Sequence, residues 1–188
     1  MVIALLLMIL TTSLVSAATG DISTFAGDGT PATTGDSGAS TSAQVNRPGR
    51  VGIDGSGNVY IAEVDGNVIR KVNASGNIST FAGTGTGGFS GDSGLATAAQ
   101  LNGPQDVMAD SSGNVYIADS ANHRVRKIDT SGNISTVAGT GTIGFSGDSG
   151  LAINAQLRAP SGLKVNNANE IFIADYGNHR VRKVDASG

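Results

Sequence analysis

The feature that most constrains the fold of this 188-residue chain is an internal repeat with a period of 56 residues. The string GDSG begins at Gly35, again at Gly91 and again at Gly147. Residues 77–132 and 133–188 are identical at 34 of 56 positions, with no insertion or deletion between them. A fixed period of this length predicts a repeat architecture, in which each unit is one supersecondary element that packs on the next.

The GDSG string also surrounds the nucleophilic serine of chymotrypsin-like proteases, so Ser93 is a candidate nucleophile. Three evenly spaced copies argue against that role, because an active site uses one nucleophile with a base about 3 Å away. We expect Ser93 to turn the backbone of a glycine-rich loop, or Ser93 or Asp92 to cap a helix. That helix is predicted over residues 95–101, as one or two turns before Gly103 and Pro104 end it.

Within one unit the pattern is that of short β-strands separated by tight turns with Gly, Asn and Asp. The strands are predicted over residues 104–110, 114–119, 124–129 and 133–138. Four such strands form an antiparallel meander, which is one blade of a β-propeller when it is repeated around an axis. The fold class is therefore all-β, with repeats at about 21–76, 77–132 and 133–188 and a long glycine-rich insertion between consecutive blades.

Counted along the chain, the repeat begins with the fourth strand of a blade, at residues 22–26. Two complete blades follow, and then the first three strands of a last blade. Propellers have about four to eight blades, and joining both chain ends in one blade removes exposed strand edges. One interpretation is that two chains build a six-bladed ring, each lending residues 22–26 to the other's last blade. The alternative is that the sequence is a piece of a longer array.

Two segments resemble the NHL repeat. They are Asn114-Val115-Tyr116-Ile117-Ala118-Asp119 followed by Asn122-His123-Arg124-Val125-Arg126-Lys127, and the matching run from residue 171 to residue 183. The resemblance implies propellers that are commonly six-bladed and that mostly bind proteins, RNA or cell-surface partners. The glycine-rich FSGDSG insertions resemble those of secreted bacterial members. The first unit departs from the pattern, because residues 63–69 contain no histidine.

Residues 1–17 read as a secretory signal peptide, with an apolar run followed by small residues before the expected cleavage after Ala17. An uncleaved anchor is the alternative. Either interpretation predicts that residues 20–188 are secreted or belong to the cell envelope, where a chain without cysteine needs no redox partner.

The charge pattern argues against nucleic acid as a partner. The chain has 12 basic and 15 acidic residues and a net charge of −3, without a basic stripe interleaved with aromatic residues. The basic pair Arg126-Lys127 and its two counterparts in the other repeats are expected to be solvated strand positions.

In a four-stranded meander, the turn between the second and third strands lies on the same side as the link to the next blade. That side should carry the candidate binding residues Phe89, Asp92, His123, Phe145, Asp148 and His179. Each histidine is more simply read as closing a hairpin by bonding to the backbone of its own turn. Each phenylalanine is either an exposed anchor for a ligand or, as we favour, a plug packed on the neighbouring blade.

Two functions follow from these patterns. The first is a binding module for a protein or glycan ligand, with no cofactor, catalytic residue or metal ligand. The alternative is an enzyme that resembles the metal-dependent propeller relatives gluconolactonase and peptide-amidating lyase. Such a site needs oxygen or nitrogen ligands on the inner strands, where this chain has Arg50, Asp106 and Gly162. We therefore expect binding rather than catalysis.

Overall fold

A computed structural model describes residues 20–186, which form three antiparallel sheets with meander connectivity. Two sheets have four strands each, and the third has three. The strands are β1 Pro48–Ile53, β2 Val59–Glu63, β3 Val68–Val72, β4 Ile78–Ala82, β5 Pro104–Ala109, β6 Val115–Asp119, β7 Arg124–Ile128, β8 Ile134–Ala138, β9 Pro160–Val165, β10 Ile171–Asp175 and β11 Arg180–Val184. The predicted all-β blades are confirmed. The predicted signal peptide, residues 1–17, lies outside the described residues.

The blades stack through their first strands, as a propeller requires. Strand β1 lies beside β5, and β5 lies beside β9. Tyr60 of the first blade and Val107 of the second share one buried cluster, and Tyr116 of the second blade and Ile171 of the third share the next. Each blade thus buries one face against its neighbour, so the core lies between consecutive blades.

The turn between β5 and β6 shows how polar residues close the hairpins. The Asp110 carboxylate accepts hydrogen bonds from the backbone N–H groups of Ser112 and Asn114, both at 2.9 Å, and from the Tyr116 hydroxyl at 3.3 Å. Burial, followed by the charge of Asp110, raises the pKa of Tyr116 to about 12. Asp110 therefore serves as a turn residue here, in agreement with the sequence pattern.

The helix predicted over residues 95–101, as one or two turns, forms as one short turn without the predicted cap. A single 3₁₀ turn, Ala96–Ala98, forms there, and its N-cap is Leu95 without any side-chain capping bond. Ser93 has a φ of +68°, and its N–H donates to the carbonyl oxygen of Ile134 at 2.8 Å. Ser93 therefore turns the backbone, as one of the two interpretations held, and ties the insertion to β8.

Residues 22–26 are not part of a sheet, although β4 has the same five-residue sequence. Ile22 is 99% exposed, whereas its counterparts Ile78 and Ile134 are fully buried. The difference arises because β4 and β8 each follow the third strand of their own blade and pair with it.

Across residues 20–186, no helix is long and apolar enough to cross a membrane.

Gly52 of β1 tests the packing between blades. A Cβ atom at this position would stand 2.5 Å from the carbonyl oxygen of Val107 in the second blade, whereas a Cβ at Gly55 would meet nothing within 4 Å. We expect Gly52→Ala to lower the free energy of unfolding by about 1–3 kcal/mol, because the blades must separate, and Gly55→Ala to change it by less than about 0.5 kcal/mol. Urea denaturation measures both. Equal effects of the two substitutions would contradict this packing.

Candidate binding site

The long insertions and the turns between second and third strands meet on one side of the blades, which we call the insertion face. It comprises the insertions at residues 83–103 and 139–159, their counterpart at 27–47, and the turns that follow β2, β6 and β10. In the second blade the Asn122 side chain donates to the carbonyl oxygen of Gly88 at 2.7 Å, and the Ala121 N–H donates to that of Asn102 at 3.0 Å. These contacts join the insertion to the turn that follows β6.

Arg126 is the residue that holds the insertion to the blade. Its side chain is fully buried, so the expectation that the Arg-Lys pairs are solvated is wrong for the arginine. One Nη atom donates to Asp119 and to the Gln100 carbonyl, and the other donates to Asp92 and to the Ser90 carbonyl. Strand alternation did not signal this burial, because buried apolar residues stand in both phases of β7, at Val125 and Ile128.

The aspartate of GDSG explains why the string repeats. Asp92 accepts a charged hydrogen bond from Arg126 at 2.7 Å and, through its other oxygen, one from the Thr136 hydroxyl at 2.7 Å. Asp148 makes the corresponding ion pair with Arg182 at 2.8 Å. Both predicted binding residues therefore have a structural role in the insertion, and the repeated string fixes a loop.

Asp119 lies at the bottom of the same network. Its buried carboxylate accepts hydrogen bonds from the Asn102 N–H and the Asn122 side chain, both at 2.8 Å, and faces Arg126 at 3.3 Å. Burial raises the pKa of Asp119, although these hydrogen bonds and the arginine charge oppose the shift. A buried carboxylate remains compatible with the fold only when it is paired in this way.

The first unit builds the same network from different residues. Glu63 replaces the aspartate and pairs with Arg70 at 2.9 Å, while Thr33 donates to the second Glu63 oxygen at 2.5 Å. Gly66 stands where the other units have asparagine, and a Cβ there would collide with Thr33 and Glu63. The departure of residues 63–69 from the repeat pattern is thus a compensated exchange that keeps the buried Arg70 paired with a carboxylate.

Phe89 and Phe145 lie on the insertion face with one ring side covered by arginine. The Arg124 guanidinium lies 3.6 Å from the centre of the Phe89 ring, and the Arg180 guanidinium lies 3.8 Å from that of Phe145. The two phenylalanines remain 41% and 40% exposed, so they are not the buried plugs that the sequence favoured. The first unit lacks both members of this pair, with Thr33 and Val68 at the equivalent positions.

His123 links two consecutive repeats. It adopts the left-handed conformation with a φ of +53°, and its Nδ1 atom accepts the N–H of Ala159 in the next insertion at 3.0 Å. In the first unit Asn67 also has a positive φ, and its side-chain oxygen accepts the N–H of Gly103 at 2.9 Å. The imidazole therefore bonds to the next insertion, and the expectation of a bond within its own turn is wrong. His179 has the same left-handed conformation.

The inner-strand positions of the three blades lie close together. Arg50 lies 3.5 Å from Asp106, and the same Asp106 oxygen accepts the N–H of Leu163 at 2.7 Å. Gly162 leaves space for Arg50, because a Cβ there would stand 2.7 Å from the guanidinium. Burial raises the pKa of Asp106. In residues 20–186 no three His, Asp or Glu side chains are close enough to hold a metal ion.

Two segments of this chain match a known protein family. The sequence profile of the NHL repeat matches residues 101–128 and 157–184. The chain contains NHL repeats. Each matched NHL segment begins at the end of an insertion and runs through three strands, β5 to β7 in the first and β9 to β11 in the second.

Parts of this chain are similar to parts of other proteins. Protein SUPPRESSOR OF QUENCHING 1, chloroplastic, of Arabidopsis thaliana is 34% identical over 98 residues, 52% of this chain and 9% of that protein. Human Teneurin-4 is 36% identical over 101 residues, 47% of this chain and 4% of that protein. A crystal structure of a protein of unknown function from Bacteroides thetaiotaomicron has a TM-score of 0.62 and 26% identity, covering 69% of this chain and 32% of that one. The chain thus spans less than a tenth of these two relatives and about a third of the solved structure.

Replacing His123 by asparagine tests the link between NHL repeats. Burial, then the charges of Arg124 and Arg158, lower the pKa of His123 from its ordinary value of 6.5. Because the unfolded chain takes up a proton near pH 6.5 and the folded chain resists it, stability falls as pH decreases below 6.5. We expect His123→Asn, which copies Asn67, to keep wild-type stability at pH 7.5 and to lose less stability at pH 5.5.

His123→Ala is the control, and it should lose about 1–2 kcal/mol at pH 7.5, because alanine has no acceptor and disfavours a positive φ. Urea denaturation at the two pH values measures all three proteins. The same pH dependence in wild type and His123→Asn would contradict the proposed role of the imidazole.

Proposed function

We propose that this chain is an extracytoplasmic binding module that takes a protein ligand on its insertion face, at the two exposed Phe–Arg pairs. The observation that carries the proposal is the exposure of Phe89 and Phe145, at 41% and 40%, on loops fixed by Arg126 and Arg182. Large aromatic side chains held at the surface of a rigid scaffold are typical of recognition sites.

The chemistry of the pairs supports a protein ligand. Aromatic residues and arginine dominate the binding energy of protein interfaces, because they offer a large apolar area together with fixed hydrogen-bond donors. Arg124 covers one side of the Phe89 ring and bonds to the Thr140 carbonyl at 2.6 Å, so its position is fixed before a ligand arrives. Such preorganisation lowers the entropic cost of binding.

The pairs recur on adjacent blades, which supports an extended contact. Phe89 with Arg124 and Phe145 with Arg180 are one repeat apart, and His123 connects the two insertions through Ala159. Asp92, Asp148 and His179 complete the proposed surface. A glycan ligand is the other candidate, because sugar rings also pack on aromatic faces. The location outside the cytoplasm rests on residues 1–17.

The metal-dependent enzyme that the sequence left open has less support. Within the described part of the chain, the inner-strand positions provide one carboxylate, Asp106, and it is already engaged by Arg50 and the Leu163 N–H. Binding is therefore the function that the geometry favours.

A double variant at the two pairs tests the proposal. The immobilised chain is incubated with extracytoplasmic proteins and with a glycan array, and bound components are quantified. We expect Phe89→Ala with Phe145→Ala to weaken capture of the protein ligand by about tenfold or more, as loss of interface anchors does. The matched control is Ser56→Ala with Ser112→Ala, in turns on the opposite side.

Thermal melting of each variant first establishes that the blades remain folded. A ligand captured equally by wild type and the double phenylalanine variant would overturn the proposed site. Binding seen with glycans alone would replace the protein ligand by a sugar.

A further inference from the structure

A cavity of about 290 Å³ lies between the second and third blades. Its walls include Tyr116, Lys127 and Val137 of the second blade and Asn169 and Ile171 of the third. The turns between β5 and β6 and between β9 and β10 contribute to its rim, so the cavity opens on the side opposite the insertion face. An apolar protein cavity of about 150 Å³ holds a benzene molecule, and this space is therefore large enough for one aromatic ring.

The first blade shows what this position accepts. Val137 corresponds to Phe81, one repeat earlier. The Phe81 ring packs edge-to-face on Tyr60, with 4.9 Å between the ring centres, and lies against the buried cluster that joins the first two blades. The Lys71 ammonium lies 5.6 Å from the centre of the Tyr60 ring and 5.9 Å from that of Phe81. An aromatic ring at this position thus has one aromatic and one cationic partner.

The second blade keeps both partners and lacks the ring between them. Tyr116 is buried, and the Lys127 ammonium lies 5.6 Å from the centre of its ring, the distance that also separates Lys71 from the Tyr60 ring. Val137 is a smaller, aliphatic residue at the place of Phe81. A ring supplied from outside would therefore gain the edge-to-face contact with Tyr116 and the cation–π contact with Lys127.

Polar groups at the rim favour a ring that carries a hydroxyl group. The Asp110 carboxylate accepts hydrogen bonds from the Tyr116 hydroxyl at 3.3 Å and from the Asn114 side chain at 2.8 Å, which fixes the Tyr116 ring. Asn169, a turn residue with a φ of +60°, stands where the preceding interface has Gly113. Its side-chain amide offers both a donor and an acceptor, which a phenol hydroxyl can use in either sense.

We propose that this cavity binds a small phenolic molecule, whose ring takes the place that the Phe81 ring has in the first blade. Tyr116 and Lys127 hold the ring, and Asn169 forms a hydrogen bond with the hydroxyl group. The site is separate from the insertion face, so it adds a small-molecule ligand to the proposed recognition of a protein. Strands β6, β7, β8 and β10 supply the residues on which it depends.

The probe for this site is p-cresol, which has one ring and one hydroxyl group. Titration of the chain, followed by ¹H–¹⁵N NMR spectra, measures its affinity and its location. We expect saturable shifts of the Val137 and Ile171 amides. Val137→Phe should bind p-cresol about tenfold or more weakly, because its own ring occupies the cavity as that of Phe81 does. Thermal melting first establishes that each variant is folded.

Phe81→Val is the reciprocal variant, because it should open an equivalent cavity between the first two blades. In that variant p-cresol should also shift the Val115 amide. The saturated analogue 4-methylcyclohexanol should bind wild type about tenfold more weakly than p-cresol, since it has no π-system for Lys127 and Tyr116.

Three results would each overturn the proposal. They are the absence of saturable p-cresol binding to wild type, equal p-cresol affinity in wild type and Val137→Phe, and equal affinity of wild type for p-cresol and its saturated analogue.

Discussion

The ion pair between a buried arginine and two carboxylates is the interaction on which the rest of this structure depends. Arg126 is fully buried and joins Asp119 of its own blade to Asp92 of the preceding insertion. Removing one partner of a buried pair costs about 3–5 kcal/mol, because the remaining charge is left without compensation. The insertion is therefore fixed in one conformation although it contains little regular structure, and Phe89 is held at the surface as a consequence.

Where one residue of the network around the buried arginine differs between units, a neighbouring residue of that network differs with it. Asp119 and Asn122 of the second unit correspond to Glu63 and Gly66 of the first, where the longer carboxylate fills the space of the missing amide. His123 corresponds in the same way to Asn67, since both supply an acceptor from a left-handed residue. What the units share is thus a hydrogen-bond pattern. The Phe–Arg pairs are outside that pattern, which is why the first unit can lack them.

The sequence predicted the blades well, because the pattern of strands and turns within one unit and the 56-residue repeat both indicate the same fold. Period-two alternation and the turn residues Ser, Gly and Asn placed strands such as β6 and β7 within a residue of their bounds. The site was predicted less well. Arg126 looked solvated because charged residues usually are, and its partners Asp92 and Asp119 lie 34 and 7 residues away in sequence. The helix over residues 95–101 forms as one 3₁₀ turn, since the Ala96 N–H donates to the Gly132 carbonyl and the Leu101 carbonyl accepts from Gly88, which fixes both ends of the segment.

The central claim is that the buried arginine fixes the insertion face, and hydrogen exchange tests it directly. The amides of Ser93 and Ala96, which donate to the Ile134 and Gly132 carbonyls, report on the insertion. In Arg126→Met they should exchange at least about tenfold faster, equivalent to about 1.4 kcal/mol, while amides of the β6 and β7 ladder keep most of their protection. Arg124→Met, which leaves Asp92 paired, should leave both amides protected. Unchanged protection of Ser93 and Ala96 in Arg126→Met would contradict the account.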